Sequence, residues 1–212
     1  MTSIVGRRVV EPEPSPEPGA DEESHPDCPV EEGLVLQQAR ADPARFAPIY
    51  ERYFPRVYRY CLRRVDRREE AEDLACLVFV RALAGLREYQ GGSVAAWLFR
   101  IAHNAVANHL RDRRPYAVLD HMAVVSTNTS DPGEQALARV LREEERQRIA
   151  HLVARLPHDQ RALLALRIAG QLSAREIGAV LGKSEGAIRV ALHRVLRHLR
   201  AAYLQLDEER RP

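Results

Sequence analysis

Apolar positions recur at helical spacing along almost the whole chain. Leu34, Val35 and Ala39 begin the pattern, and Phe46, Ile49, Tyr50, Tyr53 and Val57 continue it on one face. Asp66 to Glu70 reads as a charged turn, followed by a long helix from Glu70 to Leu86. Gly91-Gly92-Ser93 breaks the chain, and Val94 to Arg113 forms another long helix, closed by Pro115. Helical patterning resumes at Glu134. Leu137, Val140, Leu141, Leu152, Val153 and Leu156 make an apolar stripe ending at Pro157, and a further helix spans His158 to Ala169, stopped by Gly170. No run of β-branched and aromatic residues bounded by turns marks a strand. The pattern predicts an all-α chain of two small helical domains, 31–114 and 134–206, joined by a flexible linker over 115–133, with a short tail over 207–212. At roughly 80 and 75 residues, each domain is near the lower size for a self-sufficient core.

The last helical segment carries the sharpest local signal. Ser173 can cap a helix and Glu176 stands three residues later, which completes a capping box. Ile177, Val180 and Leu181 form one apolar face, Gly182 supplies a tight turn, and Ser184 can cap a second helix. Ile188, Leu192, Val195, Leu196 and Leu199 repeat the apolar face, while Arg189, His193, Arg194, Arg197 and Arg200 line the outward side. Gly186 and Ala187 are small enough to let a backbone approach base edges. Two short helices around a glycine turn, the second basic, match a helix-turn-helix that places its second helix in the major groove. A plain helical hairpin with a solvated basic face is the bland alternative. The second domain is therefore expected to be a four-helix unit containing this motif.

Charge reinforces the reading. The formal net charge of the 212 residues is +2, but residues 1–33 hold two arginines against nine carboxylates, a net −7, which leaves +9 on the rest. A basic body suits a polyanion partner. Residues 1–30, with six prolines among acidic residues, are expected to be a disordered, solvated tail. Folding back of that tail onto the basic body is the sharper alternative. No stretch approaches a membrane span and no signal peptide opens the chain, so a cytoplasmic protein without membrane insertion is expected. Cys28, Cys61 and Cys76 form no CxxC pair and read as free thiols. His25 and Cys28 could be only half a metal site, so neither a metal nor a cofactor is expected. The sequence holds no phosphate-cradling glycine loop, nucleophile elbow or metal-spaced set, which argues against an enzyme. His103, His109, His193 and His198 stand among basic residues, where phosphate contact fits better than general-base work.

Trp97, Ile101, Asn104 and Asn108 share one side of their helix, followed by Arg111, Arg113 and Arg114. An aromatic for stacking, amides for base edges and arginines for phosphates suit single-stranded nucleic acid. The spacing equally allows Trp97 as a core anchor beside merely exposed amides.

Taken together, Phe46 to Arg64, Glu70-Ala-Glu-Asp-Leu-Ala-Cys-Leu-Val-Phe-Val-Arg-Ala-Leu83, Trp97-Leu-Phe-Arg-Ile-Ala-His-Asn104, Leu156-Pro157, Arg161 and Leu172 to Arg200 resemble a bacterial RNA polymerase sigma factor of the extracytoplasmic-function type, in the sigma-70 family. The resemblance covers about residues 34–204. It implies a subunit that binds core RNA polymerase and directs it to promoter DNA, and an anti-sigma factor is a possible further partner. It implies polymerase contact through Asp73, Leu77, Val80 and Arg81, and opening of the minus-ten element through Tyr89, Trp97, Asn104, Asn108 and Arg111. It also implies reading of the minus-thirty-five duplex by Ala187, Arg189, Val190 and His193, with Lys183, Ser184 and Arg194 on phosphates. Four positions depart from the family's pattern. Cys76 and Leu77 stand where glutamine and an acidic residue are common, Gly92 replaces a charged or polar residue, and Ala191 replaces a frequent arginine. The competing reading is a helix-turn-helix regulator that does not bind the polymerase core.

Overall fold

The computed structural model describes residues 29–112 and 135–208; the whole expected linker and residues 1–28 of the expected acidic tail lie outside them, and the first helix starts inside the expected tail, at Pro29. Eight α-helices and two 3-10 turns, with no strand, make up the described residues.

Helices α1 (Pro29–Ala39), α2 (Ala47–Leu62), α3 (Arg68–Ala84) and α4 (Val94–Asp112) form the first half. Asp42 accepts from the Ala44 N–H at 3.1 Å and so caps the 3-10 turn Pro43–Phe46 that leads into α2. On α2 the buried positions Ile49, Tyr53, Val57, Tyr60 and Cys61 recur at helical spacing. They meet Ala71, Leu74, Ala75, Val78, Phe79 and Ala82 of α3, where the small alanines let the helices approach closely. The third helix runs two residues earlier at each end than its Glu70–Leu86 pattern suggests. Gly85 closes it by donating to Arg81 O at 2.8 Å, and Leu86 turns inward to start the 3-10 turn Leu86–Glu88.

The second half comprises α5 (Gln135–Ala154), α6 (His158–Ile168), α7 (Ala174–Leu181) and α8 (Glu185–Glu208). The helix-turn-helix is built as its sequence indicates. Ser173 and Glu176 form the capping box, Gly182 adopts φ 65° at the end of α7, and the Ala187 N–H donates to Ser184 Oγ at 3.2 Å. A glycine inside α7 has a role that its sequence context does not reveal. A Cβ on Gly178 would stand 2.6 Å from Lys183 O, so its absence lets the turn fold back onto the helix. Leu196, expected on the buried face of α8, is instead exposed (55%), because Ile188 and Val195 define the face that meets α6 and α7.

The two halves share one buried apolar cluster, joined where α4 packs on α7. Phe99 on α4 lies against Gly170, whose Cβ would approach its ring to 3.0 Å. This shared core relieves the size limit that applies to each half alone.

Replacing Gly178 by Ala should destabilise the fold by about 1–3 kcal/mol, the usual cost of overpacking. Thermal or urea unfolding of the full chain measures it, and an unchanged midpoint would show that the turn yields freely.

Candidate nucleic-acid interface

Three surfaces collect the residues singled out from the sequence. The first is the start of α8. Lys183, Ser184, Ala187, Arg189, Val190, His193 and Arg194 are all exposed there, while Ile188 and Val195 anchor the helix from beneath. Arg189 is held by an ion pair to Glu185, one turn earlier. Ala191, where the family often has arginine, is half-buried and lines a cleft with Leu163, Val195 and His103. The side chain at 191 thus points partly toward the core.

The second surface surrounds the start of α4. Gly91 and Gly92 take φ of 100° and 90°, which an L side chain rarely adopts. Tyr89 is buried: its hydroxyl donates to Gly92 O at 2.6 Å and its ring meets Trp97 edge-on at 5.4 Å. Arg40 donates to Leu86 O at 2.9 Å and also to Tyr89 O, which fixes the approach to the turn. Trp97 and Ile101 are half-buried, and Asn104, Asn108 and Arg111 are exposed, so the expected face is continuous. Arg111 donates to Asn108 Oδ1 at 3.3 Å. Two histidines read as phosphate contacts point elsewhere. His103 Nδ1 meets the Tyr60 hydroxyl at 3.1 Å, and His109 Nε2 lies 3.3 Å from Glu70. Burial, then the positive charge of Arg64, lowers the pKa of His103. His193 and His198 remain on the exposed side of α8.

The third surface is an outward stripe on α3. Asp73, Leu77, Val80 and Arg81 recur at helical spacing and are all exposed, Val80 by 62%. Cys76 and Leu83 extend the stripe. Beneath it, Phe79 packs edge-on against Tyr50 at 4.8 Å. Exposed apolar side chains in one row mark a docking surface better than a solvated one. Cys76 is exposed, whereas burial pushes the Cys61 thiol up to about 12.

Sequence reasoning missed the residues that join these surfaces. Ser93 Oγ accepts from the Ala96 N–H at 3.1 Å, capping α4, and donates to Glu176 Oε1 at 2.6 Å. Glu176 Oε2 in turn accepts from the Ser173 N–H and hydroxyl, each at 2.9 Å. Burial raises the Glu176 pKa, but the hydrogen bonds from Ser93 and Ser173 outweigh it and leave the carboxyl below its ordinary value. Arg56, Arg64 and Arg100 donate to Gly170 O, His158 O and Ala179 O. The capping box was legible locally, but these long-range partners have no local signature. Among the described residues no group of side chains is placed to hold a metal, and no helix is long and apolar enough to cross a membrane.

Comparison with known proteins places these surfaces in context. A family described as Sigma-70 region 2 matches residues 49–116, and one described as Sigma-70, region 4 matches residues 146–199. The chain is 36% identical over 180 residues to the ECF RNA polymerase sigma factor ShbA of Streptomyces griseus, covering 79% of this chain and 92% of that protein. It is 33% identical over 168 residues to the ECF RNA polymerase sigma factor BldN of Streptomyces coelicolor, covering 78% of this chain and 63% of that protein. In fold it is similar to CnrH in complex with the cytosolic domain of CnrY, with TM-score 0.60, 23% identity and coverage of 82% of this chain and 97% of that one.

If the Arg189–Glu185 pair restrains the basic face of α8, Glu185→Ala should tighten duplex binding and steepen its salt dependence by about one unit of slope. Titration of a labelled duplex at several salt concentrations checks this, and an unchanged slope would show that the pair does not limit Arg189.

Proposed function

The chain belongs to the sigma-70 family, in its extracytoplasmic-function type, and from that premise we propose how its surfaces divide the work of a sigma factor. Such a factor binds core RNA polymerase and directs promoter-specific initiation. The stripe Asp73, Leu77, Val80 and Arg81 docks on the polymerase core. Trp97, Asn104, Asn108 and Arg111 capture single-stranded bases and phosphates at the minus-ten element, over a turn that Tyr89 stiffens from below. Arg189, Val190 and His193 read bases of the minus-thirty-five duplex at the small Ala187, while Lys183, Ser184 and Arg194 hold phosphates. Work is done by binding and DNA deformation rather than by bond chemistry. Capture of flipped bases offsets an unstacking cost of a few kcal/mol. The setting is the cytoplasm, and the domain division is 31–114 and 134–206 about the 115–133 linker.

One observation carries this reading. The same chain presents an exposed apolar stripe on α3, an amide-bearing face on α4 and a basic face on α8, across both matched sigma regions. A helix-turn-helix regulator needs only the last of these. Control by an anti-sigma factor is part of the proposal. RpoE of Bartonella quintana, solved with the anti-sigma factor NepR, has a similar fold (TM-score 0.55, 21% identity, covering 74% of this chain and 94% of that one).

Asn104 is exposed, so its removal tests the melting face with little effect on packing. With the full chain and core polymerase, Asn104→Ala should lower transcription from a duplex promoter while sparing a pre-melted one. Arg189→Ala should weaken duplex recognition by roughly ten- to a hundred-fold, the loss of one base contact. Equal activity of Asn104→Ala on both templates would remove its role. Duplex binding without any core binding would favour the stand-alone regulator.

A further inference from the structure

The contacts that hold the two halves together divide by their response to pH. Arg56 and Arg100 donate to the carbonyls of Gly170 and Ala179, which are main-chain acceptors. Ser93 donates to Glu176, whose pKa is lowered. The remaining contact differs. Arg64, in the turn that follows α2, donates through Nη1 to His158 O at 3.1 Å, and its Nη2 stands 2.7 Å from His158 Nε2.

A guanidinium has only donors. The Arg64–His158 bond therefore requires a lone pair on Nε2, so the imidazole in this arrangement is neutral with its proton on Nδ1. Charged or titratable groups meet His158 from two helices and a turn: Arg64 in the turn after α2, His103 on α4, and Arg161 and Asp159 on α6. Asp159 is the only anion among them. Its carboxylate lies 3.7 Å from Nδ1 and is almost fully exposed, so water screens it. The Nε atoms of Arg64 and Arg161 are buried without a hydrogen-bond partner, which leaves little there to stabilise a further positive charge. His158 also occupies the first position of α6, where the helix dipole disfavours a cation.

We propose that His158 is a protonation-sensitive fastener between the two halves of the chain: the closed arrangement holds its imidazole neutral, and protonation breaks its bond to Arg64 and so weakens closure. The sign follows from linkage. Burial first, then Arg64 and Arg161, lower the His158 pKa in the closed form, so that form binds fewer protons than an open one. Closure is at full strength above the ordinary histidine pKa and weakens as pH falls through it.

The consequence for transcription rests on the proposed promoter reading. Elements centred about 25 base pairs apart are separated by roughly 85 Å of duplex, at 3.4 Å per step. With α4 packed on α7, and α7 on α8, the axes of the two reading helices are held within about two helix-packing distances, roughly 20 Å. The closed form reaches one element at a time, and release of the fastener favours the form that reaches both.

The test uses the full chain without DNA or polymerase, so it can fail independently of the promoter reading. A fluorescence energy-transfer pair is placed on Cys76 of α3 and on α8 through His198→Cys, with Cys28→Ser. Arg100→Ala, an exposed change, brings the two forms closer to balance. Transfer in this background should fall between pH 7.5 and 5.5, with helicity by circular dichroism unchanged. Adding His158→Gln, whose amide oxygen accepts from Arg64 at every pH, should abolish the fall, whereas His103→Gln should leave it. A fall that survives in His158→Gln, no fall in the Arg100→Ala background, or a parallel loss of helicity would each overturn the proposal.

Discussion

The guanidinium of Arg56 is the point on which the arrangement of this chain turns. It leaves α2 over the ring of Tyr53 at 4.9 Å and reaches toward that of Phe99 at 5.8 Å, both as cation–π contacts. It then donates twice to Gly170 O, at 3.1 and 2.7 Å. The carboxylates of Glu32 and Glu176 lie close enough for each to feel its charge. A partly buried cation is stable only where charge and hydrogen bonds compensate it, and here both halves of the chain supply the compensation. The same contact explains Gly170, where any side chain would push the Phe99 ring and α6 apart.

Around that point α4 divides its surface. Phe99, Arg100 and His103 turn toward the second half or the core, while Asn104 and Asn108 remain in solvent and Trp97 and Ile101 bridge the two. One helix thus serves as an internal strut and as a candidate DNA surface. The helix is long enough, at 19 residues, to give each task its own stripe.

What the sequence made legible was local. The capping box at Ser173, the left-handed Gly182 and the Ser184 cap each depend on residues a few positions apart, and each is present in the structure. What it hid was tertiary. Glu32, in an acidic stretch at the start of the first domain, carries no sign of burial, yet it is buried, accepts from the Tyr53 hydroxyl at 2.9 Å and pairs with Arg52 at 3.2 Å. His103 and His109 carry no mark of facing Tyr60 and Glu70 rather than phosphate, because those partners are 43 and 39 residues away. Leu196 obeys helical periodicity but falls just beyond the edge of the face that α6 and α7 cover. The outward basic positions of α8, and Asn104 and Asn108 on α4, are exposed as their spacing suggests, since exposure on a regular helix follows its period.

The chemistry joining the two halves is unequal on its two sides. From the first half come specific side chains: Arg56, Arg64, Arg100 and Ser93. From the second come mainly main-chain carbonyls, those of Gly170, His158 and Ala179. Every amino acid supplies a carbonyl, so most substitutions in the second half leave these acceptors in place. The helix-turn-helix half is therefore free to diversify toward new DNA sequences, or to be grafted from a relative, while the first half keeps its grip on it. Divergence of the first half has no such freedom, because each arginine lost there takes a connection with it.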